Sequence, residues 1–269
     1  MDTNKNSYTI IYATIMVVIV AAVLAFASTA LKGKQERNVA VEKQLNLLTS
    51  VNLAEDAAHA ADKNSYVEKE YAKYIKTSFI LNYKGEKIDG DAFGVNLKEQ
   101  YDLMKKIDAA SQSDGKVSEQ KINGMKAQLR LPVFVCITND GKTADIFSCY
   151  GTGLWGPIWG YLSIADDFNT IKGAVFDDEG ETPGLGGEIA ERSFQMQFAG
   201  KEIFKGDAFT SITLKKGGAT QANIKHEVDA ISGGTMTSRG LNKAIKQWLE
   251  YYLPYIKAKK DANSSNLSK

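Results

Sequence analysis

LPVFVCITNDGKTADIFSC, residues 131–149, decides the fold class. Two runs rich in β-branched and aromatic residues, PVFVCIT and TADIFSC, flank Asn139-Asp140-Gly141, a sequence that supplies the positive φ angles of a hairpin turn. With Asp140-Gly141 as a two-residue turn, Cys136 falls opposite Asp145 rather than Cys149, so a disulfide is not favoured. Upstream, residues 78–88 predict a second hairpin around Lys84-Gly85, and the Lys- and Gln-rich stretch 97–129 predicts helix with a solvated charged face. Downstream, the runs 171–176, 188–198 and 209–214 predict short strands separated by glycine-containing turns. Leu241, Ala244, Ile245, Trp248, Leu249 and Tyr252 mark one buried face of a helix over 240–252, with Pro254 beyond it. An α+β class follows, a mainly antiparallel sheet flanked by helices.

Nearer the amino terminus, after a short segment 1–7, residues 8–31 read YTIIYATIMVVIVAAVLAFASTAL without a charge. About 20 such residues cross a bilayer core as a helix, whereas the apolar part of a cleaved signal peptide is usually about 7–15 residues. The length favours a transmembrane helix, although Ala25-Phe26-Ala27 resembles a cleavage site. Lys32, Lys34 and Arg37 follow the span and by themselves argue for a cytoplasmic carboxyl-terminal side; a long domain after one span can cross regardless of that charge. Residues 32–63, with apolar points at Val41, Leu45, Leu48 and Val51, predict a stalk or entry helix. At the other end, 257–269 is polar with no apolar periodicity and predicts a mobile tail.

The chain has 269 residues, with 33 Lys and Arg against 32 Asp and Glu. That is long enough for a substantial core, and the near balance offers no field for holding a polyanion, which argues against nucleic acid as a partner. Two cysteines and two histidines without close spacing argue against a metal site.

Glycines gather with aromatic or hydroxyl residues in three places: GTGLWGPIWG at 151–160, GETPGLGG at 180–187 and DAISGGTMTSRG at 229–240. Each alone is compatible with an ordinary turn. The third says most, because Ser232, Thr235, Thr237 and Ser238 bring hydroxyls while Gly233 and Gly234 leave backbone N–H groups approachable just before a helix, an arrangement suited to phosphate. Arg239 either adds a positive charge there or is a solvent-exposed arginine, and Ser238 alternatively caps the helix. No strand-elbow motif or placed histidine supports a hydrolytic nucleophile at Ser232 or Thr235. No glycine fingerprint between a strand and a helix supports a nicotinamide site.

Asp229-Ala230-Ile231-Ser232-Gly233-Gly234-Thr235 resembles the flavinylation motif of the FMN-binding-domain family, departing from it at Gly234, where the family pattern has Ala. Gly153-Leu154-Trp155-Gly156 followed by Tyr161, then 179–186, then Thr237-Ser238-Arg239-Gly240, resemble more narrowly the C subunits of Na+-translocating NADH:quinone oxidoreductases, in order and spacing. The resemblance takes in the chain apart from about 64–130 and the tail. It implies an FMN-binding domain over 64–256, with FMN transferred from FAD by a flavin transferase and joined covalently to Thr235 as a phosphoester. It also implies an electron-relay role beside the other subunits of a complex that couples NADH oxidation and quinone (ubiquinone) reduction to Na+ export. The chain alone then turns over no substrate and has no catalytic residue of its own. The implied place is the bacterial inner membrane, in contact with lipid, with the soluble domain periplasmic.

Under that resemblance, Leu154, Trp155 and Leu185 form a face for the flavin ring, with Trp155 alternatively plain core. Glu181 and Thr182 either hydrogen-bond the flavin or cap a turn, and Asp229 either orients its loop by an Asx-type bond or is read by the transferase. The motif holds no His or Lys to activate the hydroxyl, hence the separate transferase. The flavin subunit of the Rnf ferredoxin:NAD+ oxidoreductase shares the threonine motif and anchor; the Gly-Leu-Trp cluster leans away from it. A membrane-tethered, non-enzymatic binding domain, its glycine clusters ordinary turns, is the alternative of a different class.

Overall fold

The computed structural model describes residues 6–113 and 117–267, which divide into two compact units, Met1–Gln44 and Leu45–Lys269. The first contains most of helix α1 (Asn6–Ser50), long and apolar enough to cross a membrane, its large apolar side chains from Ile10 to Leu31 exposed.

Helix α1 stops at Ser50, short of the stalk expected to run to residue 63. Left-handed backbone at Asn52 and Ala54, both φ 59°, turns the chain, and the Ser50 carbonyl is taken by the Ser163 hydroxyl at 2.5 Å. A short 3-10 turn (Glu55–His59) leads to α2 (Lys63–Tyr74), whose start is capped by the Asp62 carboxylate accepting the Ser65 N–H.

The main sheet holds β1 (Ile75–Leu81), β2 (Lys87–Ile88), β3 (Leu131–Ile137), β4 (Thr143–Thr152), β5 (Pro157–Ala165) and β6 (Ile171–Asp178), in the order β2-β1-β3-β4-β5-β6. Every neighbouring pair is antiparallel. The hairpin around Gly85 forms as expected. The β3–β4 turn uses three residues instead of two: the Thr138 N–H donates to the Lys142 carbonyl, and Gly141 takes φ 76°. This moves the register by one, so Cys136 faces Ala144 and Asp145 faces Val135. Both cysteines are free and buried. Strand β5, hidden in the sequence by its Gly and Pro residues, pairs along nine positions of β4.

Two helices follow, α3 (Leu97–Ser111) and α4 (Glu119–Lys126), started by Asn96 and Ser118. Residues 188–198, expected as strand, are helical turns including α5 (Arg192–Gln195). Phe194 and Phe198 both reach the buried Phe176 ring and pack on each other with ring centres 5.6 Å apart; four residues advance about 6 Å along a helix but about 13 Å along a strand. Short pairs complete the fold: β7 (Phe204–Lys205) with β8 (Ala208–Phe209), and β9 (Thr213–Lys215) parallel to β10 (Glu227–Asp229).

Helix α6 runs from Thr235 to Leu267, beginning before residue 240 and including both Pro254 and most of the stretch expected as a mobile tail. The predicted apolar face is buried in full, and Tyr252 packs on Phe147 with ring centres 4.8 Å apart. Beyond Pro254, which lacks only one backbone donor, buried Tyr255 and Ile256 hold the helix on the core, and the Lys260 ammonium reaches the Gly206 carbonyl at 3.1 Å. Tertiary contacts thus override the local breaker and the polar composition. Its first turns press on the end of β4: a Cβ on Gly240 would lie 2.2 Å from the Thr152 carbonyl oxygen. That close approach brings the start of α6 beside the β4–β5 turn.

Candidate functional site

Strand β10 delivers Asp229 to the site. Its N–H donates to Gln197 Oε1 at 2.8 Å, and its Oδ1 accepts the Ala219 N–H at 2.7 Å, tying down the 216–219 loop. Asp229 thus orients a loop ten residues back in the chain, not its own by an Asx-type bond. Gly233, at φ 76°, then turns the chain, and the Gly234 N–H closes onto the Ile231 carbonyl. Ser238 does not cap the helix start: it sits one turn inside α6, where its hydroxyl accepts the Ile231 N–H at 3.1 Å.

Thr235, half-buried at the first position of α6, lines a cavity of about 670 Å³, within the range of about 300–1,000 Å³ common to small-molecule pockets. Among the described residues its hydroxyl has no hydrogen-bond partner. Ser232 and Gly233 share the cavity wall, and Arg239 and Lys216 line it with positive charge. A hydroxyl, a helix N-terminus and two cations around one space fit a phosphate. Lys216 escaped the sequence reading; the run Lys215-Lys216-Gly217-Gly218, basic and then flexible, was its signal, and Gly217 and Gly218 both take positive φ.

The second cluster meets the first and third at Glu181. Its Oε1 accepts the Trp155 N–H at 2.9 Å and its Oε2 accepts the Thr237 hydroxyl at 2.5 Å. The side chain is 7% exposed. Burial pushes its carboxyl up, but the Thr237 hydroxyl and the N–H groups of Trp155, Leu154 and Gly156 outweigh that and hold it below the ordinary range. Both oxygens are thus engaged by the protein. Gly153 and Gly186 make room: a Cβ on either would lie 2.3 Å from Oε1 or 2.0 Å from Oε2. Thr182 has an exposed side chain, and its carbonyl accepts the N–H groups of Leu185 and Gly187, the turn-forming role.

Trp155 is not core: it is 70% exposed, and Leu154, Leu185 and Met236 are exposed with it. Leu185 packs against the Gly233-Gly234 turn, where a Cβ on Gly233 would meet Leu185 Cδ2 at 2.5 Å. Met236, beside Thr235 on the first turn, was not singled out by the sequence, since a lone Met carries no positional signal. The fold and site together define a mainly antiparallel α+β domain with a cavity suited to a phosphate, in a chain whose first helix is long and apolar enough to cross a membrane.

Residues 153–250 match the model of the FMN-binding domain. The C subunit of the Na(+)-translocating NADH-quinone reductase of Pasteurella multocida is 30% identical over 256 residues, 93% of this chain and 92% of that one. Its counterpart in Haemophilus ducreyi is 30% identical over 97% of this chain and 98% of its own. Among solved structures, the counterpart from Parabacteroides distasonis superposes with a TM-score of 0.67 at 35% identity, covering 84% of this chain and 96% of its own. NqrC of Shewanella oneidensis gives 0.62 at 27% identity, over 85% and 99%. The chain belongs to the family of Na+-translocating NADH-quinone reductase C subunits.

Proposed function

We propose that this chain carries FMN on Thr235 and relays electrons within a Na+-translocating NADH-quinone reductase. The observation that carries the attachment site is the contrast between two threonines of one motif. The Thr237 hydroxyl is 1% exposed with its residue and given to Glu181, while the Thr235 hydroxyl is free in the cavity beside Arg239 and Lys216. In the attachment step the Thr235 oxygen bonds to the FMN phosphorus of FAD, the pyrophosphate bond breaks, AMP leaves, and the hydroxyl proton passes to a base. Among the described residues no side chain hydrogen-bonds that hydroxyl to take the proton, so a flavin transferase supplies the base.

The bound flavin supplies electron acceptance and donation. The protein's residues do the rest. Arg239, Lys216 and the first turn of α6 neutralise the phosphate, and Leu154, Trp155 and Leu185 offer an apolar face to the ring. Asp229, Ser232, Gly233, Gly234 and Ser238 shape the loop around the anchor. NADH oxidation and quinone reduction, and the coupled export of Na+, fall to other subunits, so the chain alone turns over no substrate. Helix α1 sits in the lipid of the bacterial inner membrane, with the compact domain on the periplasmic side.

The test is the intact mass of the wild type expressed with a flavin transferase. An FMN-sized addition that disappears in Thr235→Val supports the reading; an addition that survives there and disappears in Thr237→Val refutes the site. For orientation, a single cysteine placed in the carboxyl-terminal residues of a cysteine-free chain should react in intact cells with impermeant reagents; reaction with permeant reagents alone would reverse the topology.

A further inference from the structure

We infer that Glu181 is a positioning residue, one whose carboxylate locks the ring-facing 153–156 tip to the first turn of α6 and whose charge disfavours flavin reduction. This rests on the FMN reading above. Its geometry is set by two loops and the start of α6. The tip closes on itself through the Gly153 N–H to the Gly156 carbonyl, at 2.8 Å, which leaves the Trp155 N–H pointing at Glu181 Oε1. The other oxygen holds Thr237, two residues beyond Thr235. Ring wall and phosphate anchor are therefore joined through one carboxylate, seated in a nest of backbone N–H groups that favours an anion.

Hydrogen-bond donors hold the carboxylate, but Glu181 belongs to no ion pair among the described residues. An anion bonded to the backbone N–H of Trp155, one of the residues offered to the ring, opposes the arrival of further negative charge there. A turn-capping residue with no tuning role would fix the loop and leave the potential alone.

Three chains are compared: wild type, Glu181→Gln and Thr237→Val. Intact mass first establishes loading; a wild type without an FMN-sized addition counts against the FMN reading, not against Glu181. In chains without flavin, amide exchange at Leu154, Trp155 and Gly156 should be about tenfold faster in Glu181→Gln, since a neutral acceptor replaces a charged one. In loaded chains the midpoint potential should rise in Glu181→Gln and stay near wild type in Thr237→Val, which keeps the charge. A wild-type potential in Glu181→Gln overturns the tuning role, and wild-type exchange overturns the lock. Should Glu181→Gln not fold, Thr237→Val decides the lock: faster exchange at the tip supports it, and unchanged exchange refutes it. Glu181→Ala, uncharged and smaller, then decides the tuning: a potential above wild type supports it, and a wild-type potential refutes it.

Discussion

Thr237 gives its hydroxyl to Glu181 at 2.5 Å across 56 residues of sequence, and in doing so takes one of two neighbouring threonines out of reach of chemistry. Thr235, two residues earlier and at the helix start, keeps its oxygen open. Thr235→Val should therefore abolish in-gel flavin fluorescence of the denatured protein while leaving its melting temperature within about 2 °C, since a near-isosteric change at a half-buried side chain that bonds nothing usually costs under about 0.5 kcal/mol. Thr237→Val should retain the fluorescence and melt lower, having left Glu181 Oε2 without its hydroxyl donor, at a cost of about 1–3 kcal/mol.

Gly234, where the family motif has Ala, is explained by its neighbour: a Cβ there would lie 2.8 Å from Ile231 Cγ2. Gly234→Ala should lower the melting temperature by the equivalent of about 1–3 kcal/mol and reduce flavin loading measured by intact mass. Adding Ile231→Leu, which removes the branch at Cβ, should restore most of both. A single mutant that loads and melts as wild type would show that the site relaxes freely.

Asp145 is 6% exposed, and its Oδ2 accepts the Tyr255 hydroxyl at 2.8 Å. Burial raises its carboxyl above the ordinary range, opposed by the Tyr255 bond and by Lys259 and Lys87. A carboxyl raised on folding binds its proton more tightly in the native state. Stability from this group is therefore greatest below the unfolded value and falls as pH rises through the folded one. Asp145→Asn, which can still accept the Tyr255 hydroxyl, should melt above wild type at pH 7, with the gain shrinking on acidification towards pH of about 4. Tyr255→Phe should instead cost about 1–3 kcal/mol at pH 7.

Leu48, near the end of α1, is fully buried and belongs to the compact unit that starts at Leu45. A chain starting at residue 35 should leave the membrane fraction and melt as the full chain does. Leu48→Ala in that shortened chain should cost about 2–5 kcal/mol by denaturant unfolding.

Local features of the sequence were legible because they depend on neighbours along the chain. The membrane-length helix, the 131–149 hairpin and the apolar stripe from Leu241 to Tyr252 all rest on short periodicities. Where tertiary contacts compete with local preference, the reading failed. Pro254 and the polar residues after it predicted an end that buried Tyr255 and Ile256 override. In 188–198, apolar residues predicted strand, but the buried Phe176 ring selected helical turns. The turn at Asn139-Asp140-Gly141 was placed correctly and its length was not, because one extra loop residue changes no composition.

By itself the sequence determined the anchor, the mainly antiparallel α+β fold and the hydroxyl-glycine motif around Thr235, each written in contiguous residues whose type and spacing limit the backbone. Only the tertiary structure decided that Lys216 shares the cavity with Thr235, that Trp155 stands exposed, and that Glu181 joins a turn and a helix start 26 and 56 residues away. The physical reason is that a hydrogen bond between distant segments depends on strand order and on how closely α6 approaches β4. No local preference encodes that approach.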